Sequence, residues 1–189
     1  EYYMNYGDKK VIAENYNASK RQIDYMLTWV KPDGTMHQSR KNAIDNGDCY
    51  WMNLGDWVPP YKFPGDDKVH TYMLWRCADR MSKMAKVMGN DADEKHYRDL
   101  ADKTRDAYDK VYFENDTLGY GDFGCNSFAV EMGLAEKRPE LKKILADEIG
   151  VRYKGHLNCG YIALEVLFEG LAKVGANNIA YTAMNQTDF

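Results

Sequence analysis

The sequence lacks the features that mark several common protein classes. It has no initiator Met, no basic N-terminal segment followed by an apolar core, and no apolar run near the roughly 18 residues of a membrane span. It also has no Lys/Arg run and no basic stripe interleaved with aromatic residues. We therefore expect a soluble chain for which nucleic acid is a poor candidate partner.

Signals for a metal or a cofactor are also missing. The four cysteines are widely spaced, without a Cys-x-x-Cys pair or histidines at zinc-ligand spacing, and no His-Glu-x-x-His motif occurs. We predict no cofactor, no metal and four free thiols. Cys77 falls on an apolar helical face, whereas the pairing of Cys49, Cys125 and Cys159 stays open.

The composition indicates one globular unit. The chain has 189 residues, of which 44% are hydrophobic and 13% aromatic, and 25 basic against 29 acidic residues give a net charge of −4. Because the chain has no initiator Met and stops just after a helical segment, we expect it to be a piece of a longer protein.

Apolar periodicity predicts a nearly all-α chain of about seven helices arranged as successive hairpins. Pro139 is predicted at the first position of the fifth helix, and Asn158 and Asn177 as caps of the last two. A short hairpin within 116–123 is the one alternative to helix and loop. The predicted helices are 9–30, a second that ends near Gly89, a third marked by 97–111, and then 125–134, 139–149, 158–174 and 177–184.

The segment 48–60 gathers carboxylates, aromatic rings and rigid turns in a loop between helices. Trp51, Trp57 or Tyr50 would cover the C–H face of a sugar ring, while Asp48 or Asp56 would accept hydrogen bonds from its hydroxyls. Buried aromatic residues and Asp caps of neighbouring helices would give the same composition. Both interpretations stay open at this point.

Several motifs, taken with their order and spacing, resemble the six-hairpin catalytic domain of bacterial α-L-rhamnosidases, family 78 of the glycoside hydrolases. The resemblance extends over essentially the whole chain. It implies an all-α (α/α)₆ barrel of which about half is present, with residues 1–189 as one central domain fragment. The motifs are Tyr6-Gly-Asp8, Glu14-Asn-Tyr16, Asn53-Leu-Gly-Asp-Trp57 with Pro59 and Pro60, Val69-His-Thr-Tyr-Met-Leu-Trp75, Gly155-His-Leu-Asn-Cys-Gly160 and Leu167-Phe-Glu-Gly170.

The resemblance implies hydrolysis of terminal α-L-rhamnosides with inversion, so a rhamnose-containing glycoside is the expected partner. The family's acid Glu lies in an Arg-Asp-Glu-Arg motif that does not occur here, and its base Glu follows a helix resembling 177–186, beyond the end of this chain. An inverting enzyme needs both carboxylates, roughly 6.5–9.5 Å apart. The catalytic residues are therefore unknown within this sequence, and we expect the fragment alone to be inactive.

What the resemblance carries over is the substrate-binding cleft. Asp56 and Trp57 match the family's Gly-Asp-Trp, and His156 matches its His-Leu-x-x-Gly loop near the barrel mouth. Asp48, Tyr50 and Trp51 are candidates from proximity in sequence. The chain departs from the commoner pattern at Cys159, where Thr is usual, and at Cys125-Asn126, where Gln-Thr is usual.

Two alternatives use the same residues differently. Asp48 and Asp56 would form the catalytic pair of a different six-hairpin glycosidase or lyase, although their spacing in a Gly-containing loop does not define a distance. A non-catalytic helical scaffold would bind a glycan or a protein, but no repeat of about 34 residues is present.

About seven helices cannot close a ring of twelve. We therefore expect exposed helix faces that either pack on the remainder of the barrel or self-associate. For the parent protein, a periplasmic or secreted location is favoured over a cytoplasmic one.

Overall fold

The computed structural model describes residues 2–37, 55–60 and 64–188. Within these ranges the chain forms nine α-helices and one π-helical segment, and its only β-contacts are two isolated bridges. The prediction of an all-α fold is therefore confirmed. The elements are α1 Tyr2–Tyr6, α2 Lys10–Leu27, α3 Asp66–Met88, α4 Asp91–Tyr112, α5 Cys125–Glu131, α6 Leu134–Lys137, α7 Leu141–Asp147, the π-helical segment Glu148–Arg152, α8 Tyr161–Lys173 and α9 Asn177–Met184.

The antiparallel pair α3 and α4 is the longest hairpin among these elements. Gly89 ends α3 in the left-handed conformation (φ 72°), which a residue with a side chain adopts less readily. The Asn90 side chain then accepts a hydrogen bond from the Asp93 amide at 3.0 Å and so caps α4. The local sequence alone explains this sharp reversal of the chain.

Helices α3, α5 and α8 pack together through the larger hydrophobic core. The rings of Tyr72 in α3 and Phe128 in α5 stack with centroids 4.1 Å apart. A Cβ at Gly170 in α8 would lie 3.8 Å from the Ser127 Cα, so a small residue lets α5 and α8 approach closely. Arg76 in α3 forms a two-pronged ion pair with Glu165 in α8, which adds a polar tie between these helices.

The connections that lead into α3, α5 and α8 meet at one end of these helices, which we call the mouth. Lys68, in the first turn of α3, donates a hydrogen bond to the Tyr120 carbonyl at 2.7 Å in the connection before α5. Gly124, at the start of α5, lies so close to Ala163 in α8 that a Cβ there would come within 2.2 Å of the Ala163 Cβ. The mouth is therefore built from three segments that are distant in sequence.

Several predictions about helix ends were wrong. The fourth helix stops at Glu131 because Gly133 turns left-handed (φ 81°), and a separate α6 follows. The next helix begins at Leu141, not Pro139, and continues past Asp147 as the π-helical segment. Asn177 is the first residue of α9 rather than its cap, since Ala176 holds that position.

The structure also bears on the predictions for the connections between helices, the cysteines and a membrane span. Within 116–123 no hairpin forms, and the nearest pairing is a single bridge between Asn115 and Gly119. Cys77, Cys125 and Cys159 are free thiols, and Cys49 lies outside the described residues. In the part of the chain that the structure describes, no helix is both long and apolar enough to cross a bilayer.

Large apolar side chains are exposed at several places on the surface, and two of these places lie near the ends of the chain. Met4 and Tyr6 near the N-terminus are 81% and 73% exposed, and Tyr181 and Met184 on α9 are 68% and 63% exposed. Exposed apolar surface of this kind favours association. The two α9 side chains lie three residues apart and therefore share one helix face.

We predict that the isolated 189-residue chain self-associates and that Tyr181→Lys with Met184→Lys reduces this association, because the new charges must be desolvated in the contact. Sedimentation velocity across a concentration series measures the effect. The matched control places the same two lysines at the exposed turn residues Asp116 and Thr117. A monodisperse, cooperatively unfolding monomer of the unmodified chain contradicts the prediction.

Candidate functional site

Asp56 caps helix α8 from a distant part of the chain. Its carboxylate accepts hydrogen bonds from the backbone amides of Gly160, Ile162 and Ala163, at 2.6, 2.8 and 3.1 Å. The first amides of a helix have no partner within the helix, and a carboxylate there also meets the positive end of the helix dipole. Helix α8 has no side-chain cap of its own, so Asp56 supplies the missing acceptor.

The close contact at Gly160 explains why a glycine stands before α8. A Cβ at this position would lie 2.4 Å from the Trp57 carbonyl oxygen and 2.7 Å from the Asp56 carbonyl oxygen. The Tyr161 amide also donates to the Trp57 carbonyl at 2.8 Å. The Asp56-Trp57 backbone is therefore held against the start of α8 by both hydrogen bonds and close packing.

Burial and hydrogen bonding act in opposite directions on Asp56. The side chain has no exposed surface, and this burial raises its pKa above the ordinary value, while the three amides partly oppose the increase. Both carboxylate oxygens are already engaged with the backbone of α8. This geometry gives Asp56 a positioning role for the loop, and its contact with substrate stays a prediction.

Trp57 presents its ring to solvent at the mouth. Its side chain follows the buried Asp56 directly and is 59% exposed, and the next residue, Val58, has a left-handed backbone (φ 56°) and is also exposed. A bulky residue with positive φ is strained, and such strain concentrates at functional sites. An exposed indole on a fixed backbone suits stacking against a sugar ring, which remains a prediction for Trp57.

His156 lines a cleft of about 770 Å³ beside this loop. Its Nδ1 lies 3.0 Å from the Tyr153 carbonyl oxygen, which only accepts, so Nδ1 carries a hydrogen. Nε2 lies 3.4 Å from Asp188 Oδ1, and because the other hydrogen is on Nδ1, Nε2 donates to this carboxylate only when the ring is protonated. The cleft is lined by Pro60, His156, Leu157, Cys159, Ala183, Gln186, Thr187 and Asp188.

The structure brings together some of the predicted site residues. Asp56, Trp57 and His156 all belong to the segments around the start of α8. Asp48, Tyr50 and Trp51 lie outside the described residues, so their roles stay predictions. Asn158, predicted as the cap of this helix, does not cap it, because Asp56 occupies that place and the Asn158 amide points to another residue.

That residue is Glu148, which the sequence analysis did not identify. The residue is 1% exposed, and its carboxylate accepts hydrogen bonds from Asn126 Nδ2 at 2.8 Å and Asn158 Nδ2 at 2.5 Å. Burial raises the pKa of Glu148 to about 7, against the effect of the two amides. In the sequence Glu148 falls in a helical segment with no adjacent motif, so nothing there distinguishes it from a surface residue.

Asp122 is a second carboxylate that sequence reasoning missed at the mouth. Its Oδ1 pairs with the Arg152 guanidinium at 2.6 Å, and its Oδ2 accepts from the Tyr153 hydroxyl at 3.2 Å. It therefore ties the connection before α5 to the segment before α8. Among the described residues, no group of three His, Cys, Asp or Glu side chains is arranged to hold a metal ion.

Three solved structures share this arrangement of helices. α-L-Rhamnosidase from Dictyoglumus thermophilum is 27% identical, with a TM-score of 0.80 over 97% of this chain and 20% of its own. The Streptomyces avermitilis α-L-rhamnosidase complexed with L-rhamnose is 22% identical, with a TM-score of 0.81 over 97% of this chain and 16% of its own. Native α-L-rhamnosidase from Aspergillus terreus is 16% identical, with a TM-score of 0.79 over 96% of this chain and 21% of its own.

The chain thus spans about a fifth of the length of these structures. No curated protein matches it significantly. The profile of the bacterial alpha-L-rhamnosidase 6 hairpin glycosidase domain matches residues 1–189, which is the whole chain. On this match, and on the helical architecture described above, the chain belongs to the bacterial α-L-rhamnosidase six-hairpin glycosidase domain family.

Proposed function

We propose that this chain forms one wall of the sugar cleft in a domain that hydrolyses terminal α-L-rhamnosides with inversion. The observation that carries the proposal is the Asp56 cap, which fixes the Trp57 backbone against the start of α8 beside the cleft that His156 lines. The relative from Streptomyces avermitilis was solved with L-rhamnose, which supports this sugar as the ligand.

Each residue has a separate task in this proposal. The Trp57 indole covers the C–H face of the sugar ring, and His156 Nε2 exchanges hydrogen bonds with its hydroxyls. Asp56 acts here as a positioning residue, because its oxygens accept from the backbone amides of Gly160, Ile162 and Ala163. It holds the loop from which Trp57 projects, and the rigid backbone limits the entropy lost on binding.

The carboxylates described at the mouth are not arranged as an acid–base pair. Asp56 is engaged by backbone amides, Asp122 by Arg152 and Tyr153, and Glu148 by two Asn side chains. An inverting hydrolase needs one carboxylic acid at the leaving oxygen and one carboxylate at a water. None of these three described carboxylates is free for either role, and from the family motifs missing in the sequence we propose that the general acid and the general base lie outside it.

The alternatives receive less support from the same geometry. A glycosidase or lyase that pairs Asp48 with Asp56 would need Asp56 to leave three amides at the start of α8. A non-catalytic binding scaffold does not need a buried carboxylate that fixes an exposed Trp beside a cleft. Neither alternative gains a specific observation from the described residues.

We predict that the 189-residue chain does not release 4-nitrophenol from its α-L-rhamnoside, whereas a longer polypeptide extended in both directions does. The reason is that the chain supplies cleft residues and not the two reacting carboxylates. Release is followed by absorbance with equal protein concentrations. Activity in the short chain would contradict the proposal and would make Asp48 and Asp56 the first residues to mutate.

We predict that Trp57→Ala in the longer polypeptide weakens L-rhamnose binding by about 1–2 kcal/mol, as expected for loss of an aromatic stacking partner. Thermal stability should change little, because the side chain is 59% exposed. Calorimetric titration and a thermal melt measure the two effects. The matched control is Tyr6→Ala, an exposed aromatic residue close to Lys9, whose ammonium contacts the opposite end of α3 at Val87. Equal losses of affinity in both variants would refute a specific role for Trp57.

We predict that Asp56→Asn destabilises the domain by about 1–3 kcal/mol, because the new NH₂ group faces a backbone N–H and leaves a buried donor unpaired. Rhamnose affinity should fall with stability, since the Trp57 loop loses its anchor. Chemical denaturation and calorimetry on the same sample test this. The control is Asp116→Asn in an exposed turn. Loss of binding with unchanged stability would instead indicate direct contact between Asp56 and the sugar.

A further inference from the structure

We infer that Glu148 is a positioning residue of the sugar cleft, because its buried carboxylate fixes Asn158 and thereby the segment 156–160 that carries His156. This inference rests on the proposed function and names the group that sets the shape of the same cleft. Glu148 does not line the cleft itself. Its effect on the sugar is transmitted through the residue that it holds.

The two oxygens of Glu148 join two walls of the mouth. One accepts from Asn126 at the start of α5, and the other accepts from Asn158, two residues before the Gly160 that Asp56 binds. Asn126 is itself tied to the connection before α5, because its Oδ1 accepts from the Tyr120 amide at 2.9 Å and its Nδ2 also donates to the Leu118 carbonyl at 3.1 Å. The carboxylate is thus the centre of a buried polar cluster.

The orientation of Asn126 explains why a carboxylate is required here. The Asn126 Oδ1 accepts from the Tyr120 backbone N–H, and its Nδ2 donates to the Leu118 carbonyl, so the positions of the oxygen and the nitrogen are fixed. Asn126 therefore presents N–H to Glu148, and turning its side chain over would lose both of these contacts. Asn158 also presents N–H. An ionised carboxylate is an acceptor at both oxygens and satisfies both amides, whereas a carboxylic acid or a primary amide carries a donor.

Protonation of Glu148 would therefore change the orientation of the Asn158 side-chain amide. The acid hydroxyl needs an acceptor, and the buried Oδ1 of Asn158 accepts no hydrogen bond from the described residues. Turning the Asn158 amide over brings this oxygen to the hydroxyl and moves the polar atoms of the segment between His156 and Gly160. The ionised form of Glu148 keeps the arrangement seen in the structure.

Five titratable side chains from the neighbouring segments face Glu148. Asp122 raises its pKa and Arg152 lowers it, and both effects are smaller than that of burial. Tyr153, Cys125 and Cys159 also face it, and burial raises the pKa of each, so these three stay neutral near pH 7.

The sign of the pH dependence follows from the raised pKa. Between the ordinary value of 4.5 and about 7, the folded protein holds a proton at Glu148 that the unfolded chain releases. The stability that Glu148 contributes is therefore fully present below pH 4.5 and is lost as pH rises through about 7. Sugar binding should change in the opposite direction, because the ionised form holds Asn158 in place.

The test compares the full natural polypeptide that carries this sequence with its Glu148→Gln variant. We expect L-rhamnose affinity of the unmodified protein to rise about five- to tenfold from pH 5 to pH 8, a range typical of coupled sites. In Glu148→Gln this pH-dependent component should be absent, and affinity at pH 8 should fall several-fold. The melting temperature should be unchanged or higher, because the buried charge is removed and the Asn158 Oδ1, once turned over, accepts from the new NH₂ group, an adjustment that the backbone amides around Asp56 cannot make.

A purely structural role would move affinity and melting temperature together, so their separation is the decisive result. Glu136→Gln, at an exposed glutamate in α6, is the matched control and should change neither. If Glu148→Gln leaves rhamnose affinity and its pH profile unchanged, the inference is overturned.

A second measurement needs neither the variant nor the sugar. In the NMR spectrum of the unmodified protein, the Asn158 side-chain amide and the backbone amides of 156–160 should titrate together with the Glu148 carboxyl carbon. Signals from Asn158 that stay constant while Glu148 titrates overturn the inference, even if Glu148→Gln fails to fold. Absence of L-rhamnose binding in the unmodified protein refutes the proposed function alone, and the Asn158 signals still decide the role of Glu148.

Discussion

The hydrogen bonds from Asp56 to the first amides of α8 are the constraint on which the mouth depends. They connect residues 104–107 positions apart, so the loop that carries Trp57 and the helix that follows His156 are fixed relative to one another. A helix start is well suited to this purpose, because its amides are unpaired and its dipole favours an anion. The close contact at Gly160 adds a steric limit to this electrostatic one.

The mouth also concentrates polar groups that a hydrophobic core would exclude. Asp56, Asn126, Glu148 and Asn158 are all buried, although burial of a carboxylate is costly unless each oxygen is hydrogen-bonded. Here each carboxylate oxygen has a donor, and each donor lies in a different segment from the carboxylate that it binds. Specific polar contacts at this end of the helices therefore define one shape for the cleft.

The sequence was informative where structure depends on local pattern. The reversal at Gly89 and Asn90 follows from a left-handed glycine and a side-chain cap, and the resemblance correctly identified the family and the all-α fold. It failed where partners are distant. Asn is a residue type that commonly caps helices, yet Asn158 does not cap α8, because Asp56 from a distant segment does so. The importance of Glu148 becomes visible only in the fold, where Asn126 and Asn158 both donate to it.

The residues of the cleft have different roles, in stability or in recognition, and these roles explain why some are buried and others exposed. Asp56 is fully buried and Trp57, its neighbour, is 59% exposed, so one residue secures the backbone and the next is free to contact a ligand. Glu148 orders Asn158 at a cost in stability, because burying its charge opposes folding. A group that costs stability in the form that orders the cleft is more consistent with selection for binding geometry than with selection for stability alone.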